Sequence, residues 1–245
     1  MKIALIGYGR MGRAIEEIAL QRGHSIVAII DIDNLADFDS ESFASADVAI
    51  EFTNGSQAEK NIRKCWEKGI PVVSGTTGWL DDEVYRELHQ MAKEMNVSLL
   101  HSSNFSVGVN LLFAVNRYLA KLISPFPDYE ASIEEVHHVH KKDHPSGTAI
   151  TLAQGIIESN PEYEEWKEDS ERDDVRKPLI PVLCRREGEN PGFHKVEWKS
   201  TTDVISISHQ AFNRNGFALG AVLGAEWIVR QPKGKIYSTR DMFKF

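Results

Sequence analysis

The chain has 245 residues, long enough for one large domain or two modest ones with a sizeable core. A hydrophobic fraction of 42% and a charged fraction of 26% are those of a folded globular protein and exclude a chain that is disordered or membrane-embedded as a whole. A formal net charge of −8 without a basic run removes the positive surface a nucleic-acid partner needs, while leaving room for a local cationic pocket that binds a small acidic ligand.

In chain order, residues 3–6 form a short apolar run that breaks at Gly7. Residues 10–21 follow with helical spacing at Met11, Ile15, Ile18 and Ala19, and Gly23 closes that helix. Residues 25–30 read as a fully buried strand and residues 48–52 as another. Ser56 is the expected N-cap of a helix through Lys68, stopped by Gly69. Pro71-Val72-Val73 is a strand leading into Gly75-Thr76-Thr77-Gly78. Asp81 opens an amphipathic helix to about Met95, and residues 97–100 are one more strand. Buried apolar strands alternating with helices predict a parallel sheet covered on both faces.

After Asn104 the pattern changes. Residues 108–124 predict an apolar helix ending near Ser124-Pro125, residues 131–140 a strand, and residues 147–159 a helix. Residues 160–177 are dense in Glu, Asp and Lys without a period and read as an exposed loop or a solvated helix. Residues 182–187, 193–198 and 204–209 read as antiparallel strands, and residues 216–229 as a helix whose small side chains suit tight packing. The expected fold class is α/β: a Rossmann-like doubly wound parallel sheet with a second, α+β domain. Residues 1–106 and 215–245 form the expected dinucleotide-binding domain, and residues 107–214 a substrate-binding and oligomerisation domain.

Gly7-Tyr8-Gly9-Arg10-Met11-Gly12 is a GxGxxG turn between the first strand and the first helix, where glycines let the backbone approach a pyrophosphate and a helix N-terminus offers N–H groups. About twenty residues on, Asp31 ends the second strand, where a carboxylate accepts hydrogen bonds from ribose hydroxyls. The same carboxylate repels a 2′-phosphate, and Ile32 supplies no cation to offset it. The expected cofactor is therefore NADH, with NADPH as the alternative.

Four passages then stand in order: Val72-Val73-Ser74-Gly75-Thr76-Thr77-Gly78; Ser103-Asn104-Phe105-Ser106-Val107-Gly108-Val109-Asn110; Glu134-Glu135-Val136-His137-His138-Val139-His140-Lys141-Lys142-Asp143-His144-Pro145-Ser146-Gly147-Thr148-Ala149; and Arg214 before Gly216-Phe217-Ala218-Leu219-Gly220-Ala221. With the glycine turn, this arrangement closely resembles the dihydrodipicolinate reductase family over nearly the whole chain, and the HHxHKxDxPSGTA run is its most specific part. Two departures stand out: the glycine turn is one residue tighter than in many members, and Ile32 stands where a basic residue often follows the ribose-binding acid.

The resemblance implies reduction of 4-hydroxy-tetrahydrodipicolinate, a cyclic imine bearing two carboxylates, by a nicotinamide cofactor in lysine biosynthesis through diaminopimelate. It implies His137 as the acid/base, a side-chain type that titrates near neutrality, with Lys141 as proton donor or carboxylate anchor. His138, Ser146, Gly147, Thr148 and Arg214 are the implied substrate contacts. Gly75, Thr76, Thr77, Ser102, Ser103, Asn104 and Phe105 join the glycine turn and Asp31 on the cofactor. Independently of the family, Gly147 and Thr148 open a helix whose amides suit a carboxylate. The resemblance also implies a homotetramer, and a closing hinge is expected because the cofactor turn and the His-Lys segment fall on different domains.

Alternatives attach to the same residues. On an extended strand His137 and Lys141 would lie about 13 Å apart at ~3.3 Å per residue, so a bend or strand end near His140 is required. His138 and His140 share a strand face in the manner of metal ligands, with Asp143 and His144 to complete a set, but the adjacent Lys141 and Lys142 oppose a cation, and the expectation is no metal. Solvated histidines on an edge strand are the bland reading, and Arg214 can equally be a surface ion pair. A semialdehyde-acting oxidoreductase or a non-catalytic NADH sensor would share the first domain without needing the His-Lys segment. Cys65 and Cys184, far apart and without a CxxC, suggest a reducing compartment. With an N-terminal apolar run too short for a signal peptide, the expected location is the cytoplasm, away from membranes.

Overall fold

The computed structural model describes residues 1–168 and 177–244. The chain divides into two units, Met1–Val107 with Arg214–Phe245, and Gly108–Asn213.

In the first unit, six strands form one parallel sheet: β1 (Lys2–Ile6), β2 (Ser25–Ile30), β3 (Val48–Glu51), β4 (Val72–Ser74), β5 (Leu99–His101) and, from the chain's end, β11 (Ile236–Tyr237). Their order is β11-β5-β4-β3-β1-β2. Side chains alternate between faces with a period of two. Ile3, Leu5, Val48, Ile50 and Val73 therefore pack with Ile15 and Ala19 of α1 (Arg10–Gln21) and Ala218, Ala221, Val222 and Ala225 of α7 (Asn215–Ile228). On the opposite face, Ala4, Ile6, Ala49, Val72 and Leu99 meet Ile62, Cys65 and Trp66 of α3 (Gly55–Glu67) and Leu88 and Ala92 of α4 (Asp82–Met95).

Several expectations need correction. β2 is an edge strand, so only Ile30 is fully buried. The cap of α3 is Asn54 rather than Ser56, whose hydroxyl instead donates to Asn54 Oδ1 at 2.6 Å from inside the first turn. Four short pieces carry too little periodicity to read in advance: 3-10 turns over Ile32–Asp39, α2 (Glu41–Ala44), the two-residue β11 and α8 (Thr239–Phe243).

The second unit holds α5 (Val107–Ile123, its first residue in the first unit), α6 (Gly147–Ser159) and a five-stranded sheet of β6 (Glu130–His137), β7 (Glu165–Glu168), β8 (Leu179–Arg186), β9 (Phe193–Lys199) and β10 (Val204–Gln210). The order is β10-β9-β6-β8-β7. β9 and β10 are antiparallel as expected, but β8 runs parallel to both β6 and β7, which alternation along one strand cannot reveal. Part of the charged stretch 160–177 is the edge strand β7 rather than a loop or helix, and residues 169–176 of it lie outside the described residues. An edge strand needs pairing on one side only, so its charged residues are compatible with the sheet. The core beneath the sheet comprises Ala131, Ile133, Val182, Val196 and Trp198 against Val109, Leu112, Leu152 and Ile156. Among the described residues, no helix is long and apolar enough to cross a membrane.

Candidate active site

At the carboxyl ends of the parallel strands, the first unit builds a nucleotide cradle. Gly7 has φ +88°, and a Cβ there would lie 2.2 Å from the Phe52 carbonyl oxygen; a Cβ on Gly12 would lie 2.3 Å from the Gly7 oxygen. Only glycine fits either place, so the turn keeps backbone N–H groups close to whatever it binds. Gly9 caps α1 without a side-chain hydrogen bond, and Arg10 begins the helix on the exposed side.

Asp31 follows β2 at the surface. Its carboxylate accepts from Tyr8 N at 3.0 Å and Ile32 N at 2.8 Å, which holds it beside the glycine turn with lone pairs to spare. A cavity of about 340 Å³ opens against Asp31, Ile32, Leu35, Ile6 and Thr53. A neighbouring one of about 270 Å³ is lined by Met11, Phe52, Thr53, Gly75, Thr76 and Thr77. An apolar floor beside a carboxylate suits an adenosine, and a glycine turn at a helix start suits a pyrophosphate, so the donor set fits a dinucleotide.

Ser102 donates to the Asn104 carbonyl at 2.9 Å and pairs with Thr239 Oγ1, Ser103 is exposed, and Asn104 is buried. Phe105 is 1% exposed and packs in the core.

Glu51, unanticipated, organises this end. Fully buried at the end of β3, it accepts from Ser74 Oγ at 2.6 Å, Thr76 Oγ1 at 2.9 Å, Thr53 N at 3.1 Å and the Thr53 hydroxyl. A carboxylate inside the apolar run Val48-Ala49-Ile50 was the visible signal.

In the second unit, strand register assembles the site. Ala131, Ile133, Glu135 and His137 share one face of β6, and the first two belong to the core. Across the antiparallel pair, Ile133 faces Val196 and Glu135 faces His194; across the parallel pair, Ile133 faces Val182, Glu135 faces Cys184 and His137 faces Arg186. The core face therefore turns polar over two layers at the strand end. A slip of one residue would send every one of these groups to the other face.

Glu135 is fully buried. Its Oε1 accepts from Ser146 N at 3.0 Å and Arg186 Nη2 at 3.1 Å, while Oε2 lies 3.3 Å from His137 Nδ1 and 3.6 Å from His194 Nε2. Burial pushes the Glu135 carboxyl up, but the facing His137, His194 and Ser146 outweigh it and hold the group well below the usual carboxylate range. Burial also lowers His194, against the opposing pull of Glu135, which favours its neutral form. The His137 and His194 rings meet edge to face with centroids 5.0 Å apart.

β6 ends at His137, earlier than the expected run to residue 140, and the Lys141 amide donates to the His138 carbonyl at 3.1 Å in the turn that follows. The strand end the His-Lys pair requires is thus present. It also removes the shared strand face of His138 and His140: His140 pairs with Glu189 at 2.9 Å and His144 with Glu168 at 3.4 Å. Lys141 Nζ lies 2.8 Å from Asp143 Oδ2. Burial raises the Asp143 carboxyl, and the Lys141 ammonium more than reverses this, leaving it lowered.

Ser146 caps α6 by accepting from Ala149 N at 3.2 Å, and its hydroxyl lies 3.2 Å from His194 Nε2. Gly147 and Thr148 form the first turn just beyond. Arg214 is exposed at the start of α7. Ligand atoms of Glu135, His137 and His194 lie within 4.8 Å of one another, the spacing of a metal site, but the Arg186 guanidinium already supplies the cation that Glu135 needs. Sequence reading named His137, Lys141 and Ser146 but gave no role to Glu135, Arg186 and His194, which only strand pairing brings together.

Known proteins provide a further comparison. Residues 1–105 match the family described as dihydrodipicolinate reductase, N-terminus, and residues 108–243 that described as dihydrodipicolinate reductase, C-terminus. A 4-hydroxy-tetrahydrodipicolinate reductase of Christiangramia forsetii is 46% identical over 242 residues, covering 99% of this chain and 97% of that one. The protein of the same description from Archaeoglobus fulgidus is 34% identical over 263 residues, covering 100% of both. A dipicolinate-bound dihydrodipicolinate reductase from Paenisporosarcina sp. TG-14 superposes with a TM-score of 0.77 at 21% identity, covering 99% of each chain, a likeness of fold.

Proposed function

The chain belongs to the dihydrodipicolinate reductase family, the oxidoreductases that convert 4-hydroxy-tetrahydrodipicolinate to tetrahydrodipicolinate in lysine biosynthesis, and we propose that His137 is the proton donor of that reaction in this protein, with Lys141 beside it. The observation that carries this reading is the placement of His137 on the last residue of β6, braced by Glu135, with Lys141 in the next turn and the start of α6 directly after.

The overall change consumes one NAD(P)H and one proton and releases water. The bound cofactor supplies the hydride from its nicotinamide ring. The ring carbon left with enamine character then takes a proton from His137. The substrate's two carboxylates need cations and N–H donors. Lys141 and His138 meet one, while Ser146, Gly147 and Thr148 at the positive end of α6 meet the other. Arg214 is assigned to the substrate on its charge alone.

On the cofactor side, Gly7, Gly9, Arg10, Met11 and Gly12 cradle the pyrophosphate, and Asp31 takes the ribose hydroxyls. Gly75, Thr76, Thr77 and the backbone of Ser102 through Phe105 border the nicotinamide end. NADH is the preferred form, because Asp31 repels a 2′-phosphate and the exposed Ile32 contributes no cation. The protein works in the cytoplasm, consistent with its two free cysteines, and assembles as a homotetramer through the second unit, whose β10 exposes Val204 and Ile205.

The test generates the unstable substrate in place with its upstream synthase and pyruvate and follows the loss of NADH absorbance. Rapid oxidation is expected, with kcat/KM higher for NADH than for NADPH. No oxidation would contradict the reading, and a tenfold advantage for NADPH would contradict its cofactor part.

A further inference from the structure

We infer that Glu135 is a positioning residue of this reaction: its buried carboxylate grips His137 through Nδ1, so that Nε2 is the nitrogen left to release the proton. The inference rests on the reading of His137 as proton donor.

The two carboxylate oxygens are divided between tasks. Oε1 is taken by Ser146 N and Arg186, as described, whereas Oε2 is buried, makes no well-aligned hydrogen bond and faces His137 Nδ1 at 3.3 Å. His137 Nδ1 is likewise buried without another partner. A buried acceptor and a buried ring nitrogen at that distance satisfy each other only if Nδ1 carries the hydrogen. At the other side of the ring, Gly192 has φ +146°, and a Cβ there would come within 3.1 Å of Nε2, so glycine keeps that nitrogen uncrowded.

The charges around the ring fit this assignment. Glu135 on β6 faces it, with Arg186 and the Cys184 thiol on β8, His194 on β9 and, beyond His194, His209 on β10. Arg186 balances Glu135, and burial favours neutral His194 and His209. In the transfer, the Nε2–H bond of the His137 imidazolium breaks as the enamine electron pair forms the new C–H bond. The ring electrons stay on nitrogen, and neutral His137 remains as the Nδ1–H form held by Glu135.

Glu135→Gln tests this directly. Ser146 N and Arg186 would claim the new amide's oxygen and turn its NH₂ toward His137, demanding Nδ1 as an acceptor. Nitrogen-15 shifts of the ring should then report Nε2–H in place of Nδ1–H. Turnover should fall roughly 10²-fold with substrate KM changed by less than about threefold, a split that a merely structural role would not produce. Because the substitution leaves Arg186 without its buried partner, Glu135→Gln/Arg186→Met removes both charges together and should show the same loss in a folded protein. Normal turnover, or an unchanged Nδ1–H tautomer, in either variant would overturn the inference while low turnover of His137→Gln left the donor reading intact. Full turnover of His137→Gln would overturn both.

Discussion

A buried carboxylate is tolerated only where donors surround it, and among the described residues two carboxylates are wholly buried, Glu51 and Glu135, one in each unit. Glu51 ties Thr53, Ser74 and Thr76 to the end of β3, and Thr53 and Thr76 line the cavity beside the glycine turn. Glu51→Ala leaves these donors unsatisfied and should cost about 2 kcal/mol in denaturant unfolding while weakening NADH binding. Unchanged stability and affinity would show that the network is incidental. Local chemistry sufficed to single out the glycines of the turn and Asp31 after a strand, whereas the roles of His137 and Lys141 came from the family resemblance. Arg186 and His194 were not legible, because their role depends on which strands pair and in what register.

Elements follow local signals more faithfully than partners do. The helix at Arg10–Gln21 and the strand at Ser25–Ile30 match their expected bounds, since apolar periodicity and flanking glycines act within a few residues. The parallel course of β8 and the strand character of Glu165–Glu168 depend on pairing at a distance and left no trace in alternation. Where a cap was read correctly, its energy can be measured. The Asp81 carboxylate accepts from Glu83 N at 3.0 Å and Val84 N at 2.9 Å at the start of α4. Asp81→Ala should lower stability by about 1 kcal/mol. A change indistinguishable from zero in chemical unfolding would mean that solvent replaces the cap without loss.

At the scale of the whole molecule, chain ends are joined by charge as well as by packing. Glu226 on α7 receives Arg22 Nε and Nη2 at 2.8 Å each, from a residue 204 positions away, and His24 Nε2 at 2.8 Å. The Arg22 guanidinium, opposed by burial and aided by His24, holds the Glu226 carboxyl down to about 2, against an ordinary 4.5. A folded-state value below the unfolded one means the unfolded chain binds more protons in that interval. The contribution is therefore fully present above about pH 4.5 and is lost as pH falls toward 2. Glu226→Gln should reduce stability at pH 7 and flatten the acid limb of the stability curve across that window. An acid limb identical to the wild type would remove Glu226 from the acid response.

The two-unit division and the parallel sheet set the stage for a reductase, and the proton donor proposed for it is one imidazole at the end of β6. The most direct measurement compares initial rates of His137→Gln and wild-type protein, with substrate supplied continuously by the upstream synthase. The account predicts a loss of roughly 10²-fold or more in kcat with NADH affinity retained. A variant that turns over at the wild-type rate would contradict it.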